Sequence, residues 1–318
     1  MNVLQHLADV VADLLREDDR RVVLGEDVAE GGMLGLTRGA SADEALRDRL
    51  VTTPLSPTVT FAHAAGLALA GRLPIVVLAS TTGLFEGLAG LREACLVGWR
   101  TAQARDVPML VVVPYGPGFS LGDDATDTAE GIVSALPNLR VLCASDAVDA
   151  GAWLRAAADS VATEGPTVLL LPRTLLLREL AEPATHSLSR EPGEAHVVRT
   201  GAAATVFAWG ATVGRVLAAV ERTGVDATVV DVGCLSPLDR DGLVEQACAT
   251  GKIVIAHGSD PTVAAELAAL FADLAILYLD APVTRVGGVQ GPVTGADESA
   301  ALPTVERLAE ALRHVAEY

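Results

Sequence analysis

Three aspartates within five positions, Asp123, Asp124 and Asp127, form a group with metal-ligating chemistry. Carboxylates at alternating loop positions hold hard cations, but a calcium loop also needs a spaced glycine and a closing glutamate, and neither follows. A solvated acidic loop is the simpler reading, so no metal site is expected. Cys95, Cys143, Cys234 and Cys248 lie far apart and lack the paired spacing of a zinc site or a disulfide framework, so they read as buried thiols in a reducing cytoplasm. Cys234 has no histidine beside it in the sequence to generate a thiolate, and a small buried thiol is the simpler reading. His63 falls on a proposed helix, as an ordinary buried or edge histidine, and His257 closes an apolar run. Ser56 and Pro57 suit the N-cap and first position of a helix, where the missing N–H and fixed φ of proline cost nothing.

The elements that would position these residues can be read from periodicity. Apolar runs at Val22 to Leu24, Pro74 to Ala79, Pro108 to Val113, Leu139 to Ala144 and Val168 to Leu171 are short enough for strands. Helical stretches at Ala62 to Ala70, Leu84 to Ala104 and Val148 to Ala162 separate most of them, which predicts an α/β fold with a mainly parallel sheet covered on both faces. From Glu179 to His196 the chain turns rich in Glu, Pro, Ser, Arg and His, the composition of a surface linker. Strand-like runs resume at Ala204 to Trp209, Ala227 to Val232, Ile253 to Ala256 and Leu274 to Leu279. Helices are expected at Val213 to Arg222, Asp241 to Ala249, Val263 to Asp273 and Thr304 to Glu317. The expected organisation is a first α/β domain over 1–180, a linker over 181–196 and a smaller α/β domain over 197–318.

Composition bounds the function classes. With 318 residues, half of them hydrophobic and 20% charged, the chain is neither disordered nor a simple coiled coil. A formal net charge of −18 suits a phosphate backbone poorly, so nucleic acid is not an expected partner. Val3, Leu4, Leu7, Val10, Val11, Leu14 and Leu15 recur at helical spacing with Asp9, Asp13 and Glu17 between them, an amphipathic helix rather than a signal peptide. No apolar run reaches membrane-spanning length, and a soluble, cytoplasmic protein is expected.

Several short stretches carry a resemblance. Leu24-Gly25-Glu26-Asp27-Val28, Thr53-Pro54-Leu55-Ser56, Val107-Pro108, Pro114-Tyr115-Gly116, Leu139-Arg140-Val141, Leu235-Ser236-Pro237-Leu238-Asp239, Asp280-Ala281-Pro282-Val283 and Leu302-Pro303-Thr304-Val305-Glu306 follow one another as in the β subunit of 2-oxo acid dehydrogenase E1 components. Pro137-Asn138-Leu139-Arg140-Val141 with Asp146-Ala147 also resembles the C-terminal half of transketolase. The resemblance covers nearly the whole chain. It implies a pyrimidine-binding domain followed by a transketolase C-terminal domain, and thiamine diphosphate held at an interface with a second chain. That second chain would bring the Gly-Asp-Gly site for diphosphate and magnesium. Gly-Asp-Gly does not occur here, the nearest string being Gly122-Asp123-Asp124. Thiamine diphosphate and magnesium are therefore expected only with an α-like partner that carries the motif, and the expected assembly is a homodimer or a complex with such a partner.

The same resemblance exposes departures at the site. The family glutamate that hydrogen-bonds the aminopyrimidine and helps form the thiazolium ylid would stand at Pro57, which has neither a side-chain proton nor an N–H. Another acid, Glu26 or one from a partner chain, is the alternative donor. The histidines of the family's glycine-rich loop would stand at Asp123 and Ala125, or at Thr128 in a transketolase-like register. The aromatic that stacks on the pyrimidine falls in Ser80-Thr81-Thr82-Gly83, leaving Phe85 either as the stacking ring or as a core residue of the following helix. Gly233-Cys234 and His257-Gly258 replace an arginine and a glutamate usual in the family. The resulting candidate cleft comprises Glu26, Ser56, Pro57, Thr82 and Phe85, with no catalytic residue assigned. The expectation is a β-like subunit that is non-catalytic by itself and completes an assembly. The alternatives are an active subunit with a relocated acid, catalysing 2-oxo acid decarboxylation or ketol transfer, and a changed activity in the old cleft.

Overall fold

The structure, a computed structural model, describes residues 1–101, 106–122, 128–180 and 192–318. Strands β1 (Arg21–Gly25), β2 (Leu50–Thr52), β3 (Leu73–Val77), β4 (Leu110–Tyr115), β5 (Arg140–Cys143) and β6 (Thr167–Pro172) form a parallel sheet. Every residue of β1, β3, β4 and β6 is buried, as continuous apolar runs require when helices cover both faces. Alternate side chains divide between two cores. Val23, Ile75, Val77, Leu110, Val112, Leu169 and Leu171 meet helices Val3–Glu17 and Ala150–Glu164. Leu24, Val76, Val111, Val113, Val168 and Leu170 share the other core with Phe61 and Leu91 of helices Pro57–Leu69 and Thr82–Arg100. The first helix is fixed by a capping box, in which the Gln5 N–H donates to Asn2 Oδ1 and the Asn2 N–H to Gln5 Oε1, both at 2.9 Å.

The second sheet contains β7 (His196–Arg199), β8 (Ala204–Ala208), β9 (Ala227–Asp231), β11 (Ile253–His257) and β12 (Thr284–Gly287), in the order β12-β11-β8-β9-β7 with only β7 antiparallel. Between them in the chain, β10 (Cys234–Ser236) crosses back and pairs antiparallel with β5, giving the first sheet the order β10-β5-β6-β4-β3-β1-β2. Cys143 N–H donates to Gly233 O at 2.8 Å beside this pair. The two α/β domains are therefore joined through main chain as well as through packing. One core continues from Val113 and Tyr115 to Phe207, Trp209, Val230 and Phe271, with the Phe207 and Phe271 ring centroids 4.7 Å apart.

Several expectations need correction. Leu274 to Leu279 is not a strand. Helix Thr262–Leu274 ends there and a 3₁₀ turn, Ile276–Tyr278, follows, with Leu277 93% exposed. An apolar run is read as a strand on the assumption that it is buried, and here Leu274, Ile276, Leu277 and Tyr278 are exposed while Ala275 alone is fully buried. The edge strand beside β11 is Thr284–Gly287 instead, with Val254 opposite Thr284. Helix Pro57–Leu69 begins five residues before the Ala62 expected from periodicity, at the Ser56–Pro57 start signal itself. Ser56 occupies the N-cap, but its side chain makes no capping hydrogen bond. Cys95, Cys143 and Cys234 are buried and in no disulfide, whereas Cys248 is half-buried. Most of the expected linker, 181–191, lies outside the described residues. Of its flanks, Leu180 N–H donates to Met1 O at 2.8 Å and His196 opens β7. Among the described residues no helix is long and apolar enough to cross a membrane.

Candidate functional site

The C-terminal ends of β1, β2 and β3 gather Glu26, Ser56, Pro57, Thr82 and Phe85 along one edge of the first sheet. Ligands of open parallel sheets sit outside such strand ends. Gly25 ends β1 where a Cβ would strike Val77 O, so only glycine lets β1 and β3 close up before the chain turns out to Glu26 and to Asp27, whose φ is +52°. After β2, Thr53 N–H donates to Gly25 O at 2.9 Å, and the Thr53 and Thr60 hydroxyls meet at 2.9 Å. These bonds fix the turn Thr53-Pro54-Leu55-Ser56 and so the start of helix Pro57–Leu69. That helix lies against Thr82–Arg100 through two glycines: a Cβ on Gly87 would collide with the Phe61 ring and reach 3.0 Å from Pro57 Cβ, and one on Gly90 would reach 3.1 Å from Thr58 O.

Pro57 is buried in this helix contact and has no polar atom to offer the cleft. Thr58 Oγ1 donates to Glu86 O at 2.9 Å, tying the two helices at the same level. Glu26 is half-buried. Its carboxyl is raised above the usual range, first by burial and then by the charges of Asp27 and Glu86. It is the one member of the candidate set with acid–base chemistry. Phe85 is 40% exposed, which corrects its assignment to the helix core: Leu84 and Leu91 take the inward face, and the next position points out. Leu55, on the turn before helix Pro57–Leu69, is 81% exposed. Of the other expected residues, His63, read as a buried or edge histidine, is exposed rather than buried. His257 is buried at the end of β11, with Nδ1 2.7 Å from Gly258 O and its ring against Gly287. Cys234 is buried, and burial pushes its thiol up, away from thiolate chemistry. Asp123, Ala125 and the rest of the acidic cluster lie outside the described residues. Among the described residues no group of three or more His, Cys, Asp or Glu could hold a metal ion.

Residues 1–178 match the transketolase pyrimidine-binding domain and residues 193–308 the transketolase C-terminal domain. The 2-oxoisovalerate dehydrogenase subunit beta of Pseudomonas aeruginosa is 30% identical over 337 aligned positions, which cover all of this chain and 95% of the relative. The chain is a β-subunit-like member of the thiamine diphosphate-dependent 2-oxo acid dehydrogenase E1 and transketolase superfamily. The pyruvate dehydrogenase E1 component subunit beta of Bacillus subtilis is 29% identical over 327 positions, covering 100% of this chain and 99% of that one. Among solved structures, a split gene transketolase described as an inactive β4 tetramer superposes with a TM-score of 0.77 at 21% identity, covering all of this chain and 98% of that chain. The transketolase from Leishmania mexicana superposes at 0.69 and 17% identity, over 99% of this chain and 45% of that one. These two likenesses show the shared fold.

The family is thiamine diphosphate-dependent, and the residues of the candidate cleft offer an aminopyrimidine ring few polar partners. Position 57 is a buried proline rather than a carboxylate, and Phe85 is the one exposed aromatic of the candidate set. Farther along the same sheet edge, sequence reasoning missed a group of buried charges. Arg173, 1% exposed at the end of β6, donates to Gly116 O at 3.0 Å and to Ala79 O at 3.3 Å. Burial lowers its guanidinium to about 10, with the Glu298 charge acting the other way. Glu130 is buried beneath Trp209, whose Nε1 is 3.5 Å from its Oε1. Burial pushes its carboxyl up to about 7, with Asp260 adding to the rise. Its Oε2 has no hydrogen-bond partner among the described residues, and a cavity of about 10 Å³ lined by Tyr115, Thr128, Glu130, Trp209 and Thr212 lies there.

Proposed function

We propose that this chain is the β-like half of a thiamine diphosphate-dependent assembly, that it completes an interface with an α-like chain carrying Gly-Asp-Gly, and that its own pyrimidine edge does not activate the cofactor. The observation that carries this reading is Pro57, buried at the first position of its helix where the family has a glutamate. The exposed Leu55 and Phe85 on the same edge support an interface there, because apolar side chains at a partner-completed site would be covered in the assembly. A solved relative in the same fold is described as an inactive β4 tetramer, which supports the view that β-type chains associate without activity.

The test is hydrogen–deuterium exchange at C2 of thiamine diphosphate, with the chain, its co-purifying partner and magnesium. Exchange no faster than for the free cofactor is the expected result. Fast exchange would overturn the non-catalytic reading. A second reading rests on Glu26, whose raised, half-buried carboxyl is the available acid at that edge. It requires fast exchange that Glu26→Gln abolishes, by about 10²–10⁴ for loss of an acid–base group.

A further inference from the structure

We propose that the loop from Gly116 to Gly122 is a carboxylate-binding nest, filled by the chain's own Glu298, through which the second domain sets where this loop lies over the first sheet. Glu298 belongs to the 3₁₀ turn Glu298–Ala301 and is 6% exposed. Its Oε2 accepts from Gly118 N–H at 2.9 Å and from Ser120 N–H at 2.8 Å, and its Oε1 accepts from Leu121 N–H at 2.9 Å. Three main-chain donors converging on one carboxylate form the concave anion site that alternating backbone conformations create. The loop has the conformations such a site needs: φ is +70° at Gly116, +152° at Gly118, +55° at Ser120 and +85° at Gly122. Ser120 is the informative member. A serine held in the left-handed region is strained by about 1–3 kcal/mol unless its surroundings fix it, and here its N–H is one of the three donors.

Both walls of the nest are closed. A Cβ on Gly118 would lie 2.7 Å from Arg173 Cβ, and one on Gly295 would lie 2.6 Å from Ser120 O, so the loop is pressed between β6's end and the second domain. Arg173 stands behind the carboxylate and adds favourable charge. The chain is gripped again where it re-enters the described residues. Thr128 Oγ1 accepts from Asp260 N–H at 3.0 Å and meets Ser259 Oγ at 2.9 Å, while Asp260 Oδ2 accepts from Gly131 N–H at 2.8 Å. Two carboxylates of the second domain thus hold the two ends of the stretch in which the family histidines would fall. Because the three N–H groups already have short partners, an incoming carboxylate or phosphate would have to displace Glu298 to bind this loop. The nest is a coupling device between domains.

The experiment is amide exchange by NMR on the full chain at neutral pH, for the wild type and two variants. Glu298→Gln keeps one oxygen and sets an NH₂ group against a donor. Retaining the Oε2 pair leaves Leu121 N–H facing that group, so its exchange accelerates about tenfold or more while Gly118 and Ser120 change less. In Glu298→Ala all three amides accelerate, and sodium acetate slows them again where sodium chloride at matched ionic strength does not, because a free carboxylate refills the nest. Unchanged exchange at all three amides in Glu298→Gln overturns the proposal. So does equal rescue by acetate and chloride. If Glu298→Ala does not fold, the amide selectivity of Glu298→Gln decides alone.

Discussion

Two stretches of one sheet edge differ in how they treat charge. At the ends of β1, β2 and β3, Leu55 and Phe85 face outward, Glu26 is half-buried, and the position where the family places its glutamate is filled by a buried proline. At the ends of β4 and β6, Arg173, Glu130 and Glu298 are all buried. Desolvating a charge is costly unless hydrogen bonds or opposite charge replace water, so buried ions mark where a structure has been made specific. In this chain a cluster of them lies at the seam between domains, whereas Arg21, also buried, sits at the opposite end of β1 beside Asp159. The stretch at the ends of β1, β2 and β3 is an apolar, partly open surface, the feature on which the proposed partner-completed site rests.

The largest expected effect tests the seam. Arg173→Met removes donors from Gly116 O and Ala79 O and leaves Glu298 without its nearest cation. Breaking one side of a buried charged network typically destabilises by about 3–5 kcal/mol. Urea unfolding followed by circular dichroism should show that loss. A change below about 1 kcal/mol would mean that the seam is not where specificity resides.

Glu130 sharpens the comparison through pH. Its carboxyl is raised to about 7 in the folded chain, first by burial, from an ordinary value near 4.5. Between those values the folded state holds a proton that the unfolded state has released. Its contribution to stability is therefore full below about 4.5 and lost as pH rises through about 7. Glu130→Gln keeps the neutral form at every pH, so it should flatten this slope and stabilise the chain at pH ~8 by about 1–3 kcal/mol while changing little at pH ~5. Thermal unfolding at the two pH values reads the difference, and an unchanged slope would place the proton elsewhere. Glu298 acts in the opposite sense. Burial raises its carboxyl, but the N–H groups of Gly118, Ser120 and Leu121 and the Arg173 charge outweigh that, and the net direction is down. Its stabilisation is present above about 4.5 and is lost as the solution is acidified through its lowered value.

The contrast also explains what was legible in the sequence. β4 and β6 could be read because every position is apolar, and Ser56-Pro57 announced its helix start through a local backbone rule. β2, β7 and β12 are only partly buried and carry Thr52, His196, Arg199, Thr284 and Arg285, and β10 is Cys234-Leu235-Ser236, so no apolar run marks them. The run Leu274 to Leu279 misled for the converse reason, since Leu274, Ile276, Leu277 and Tyr278 face outward and only Ala275 is buried. At the site, the departure at Pro57 was visible because it abuts Thr53-Pro54-Leu55-Ser56. Glu298 was invisible. It lies among Asp297, Ser299 and other surface-type residues, and only the distant loop at 118–121, about 180 positions earlier, makes it a buried ion. Local rules find starts of helices, whereas pairings across domains carry no local signature.

Pro57→Glu tests the open side of the comparison with a smaller effect. A carboxylate in the first turn of helix Pro57–Leu69 gains about 0.3–1 kcal/mol from the helix dipole. Losing the proline costs about 0.4–1 kcal/mol through unfolded-state entropy, and because position 57 is buried the carboxylate must also be desolvated or turned out into the cleft, so stability should fall by about 1–3 kcal/mol. C2 exchange on thiamine diphosphate should remain slow with partner and magnesium present. Fast exchange in this variant alone would locate the whole loss of chemistry at position 57.

The smallest effect on stability is expected from Leu55→Ser, and it separates folding from assembly most cleanly. Leu55 is 81% exposed on the turn after β2, so folding gains little from its burial and removing it should change unfolding by no more than about 0.5 kcal/mol. If the edge is an interface, the same residue is buried on association, where a fully covered leucine contributes about 1.5–3 kcal/mol. The change should then weaken complex formation with the α-like partner by roughly tenfold or more, since about 1.4 kcal/mol is a factor of ten. Phe85→Ser, on the neighbouring helix and 40% exposed, should weaken association likewise but also cost about 1–2 kcal/mol of stability, because most of its ring is covered in the chain alone, so the unchanged midpoint is expected of Leu55→Ser only. Sedimentation of wild type and variant with the partner reads the association, and urea unfolding of the chain alone reads the fold. Weakened association with an unchanged unfolding midpoint is the expected pair of results. Unchanged association in both variants would mean that the partner docks elsewhere, and the open edge would have to be explained without one.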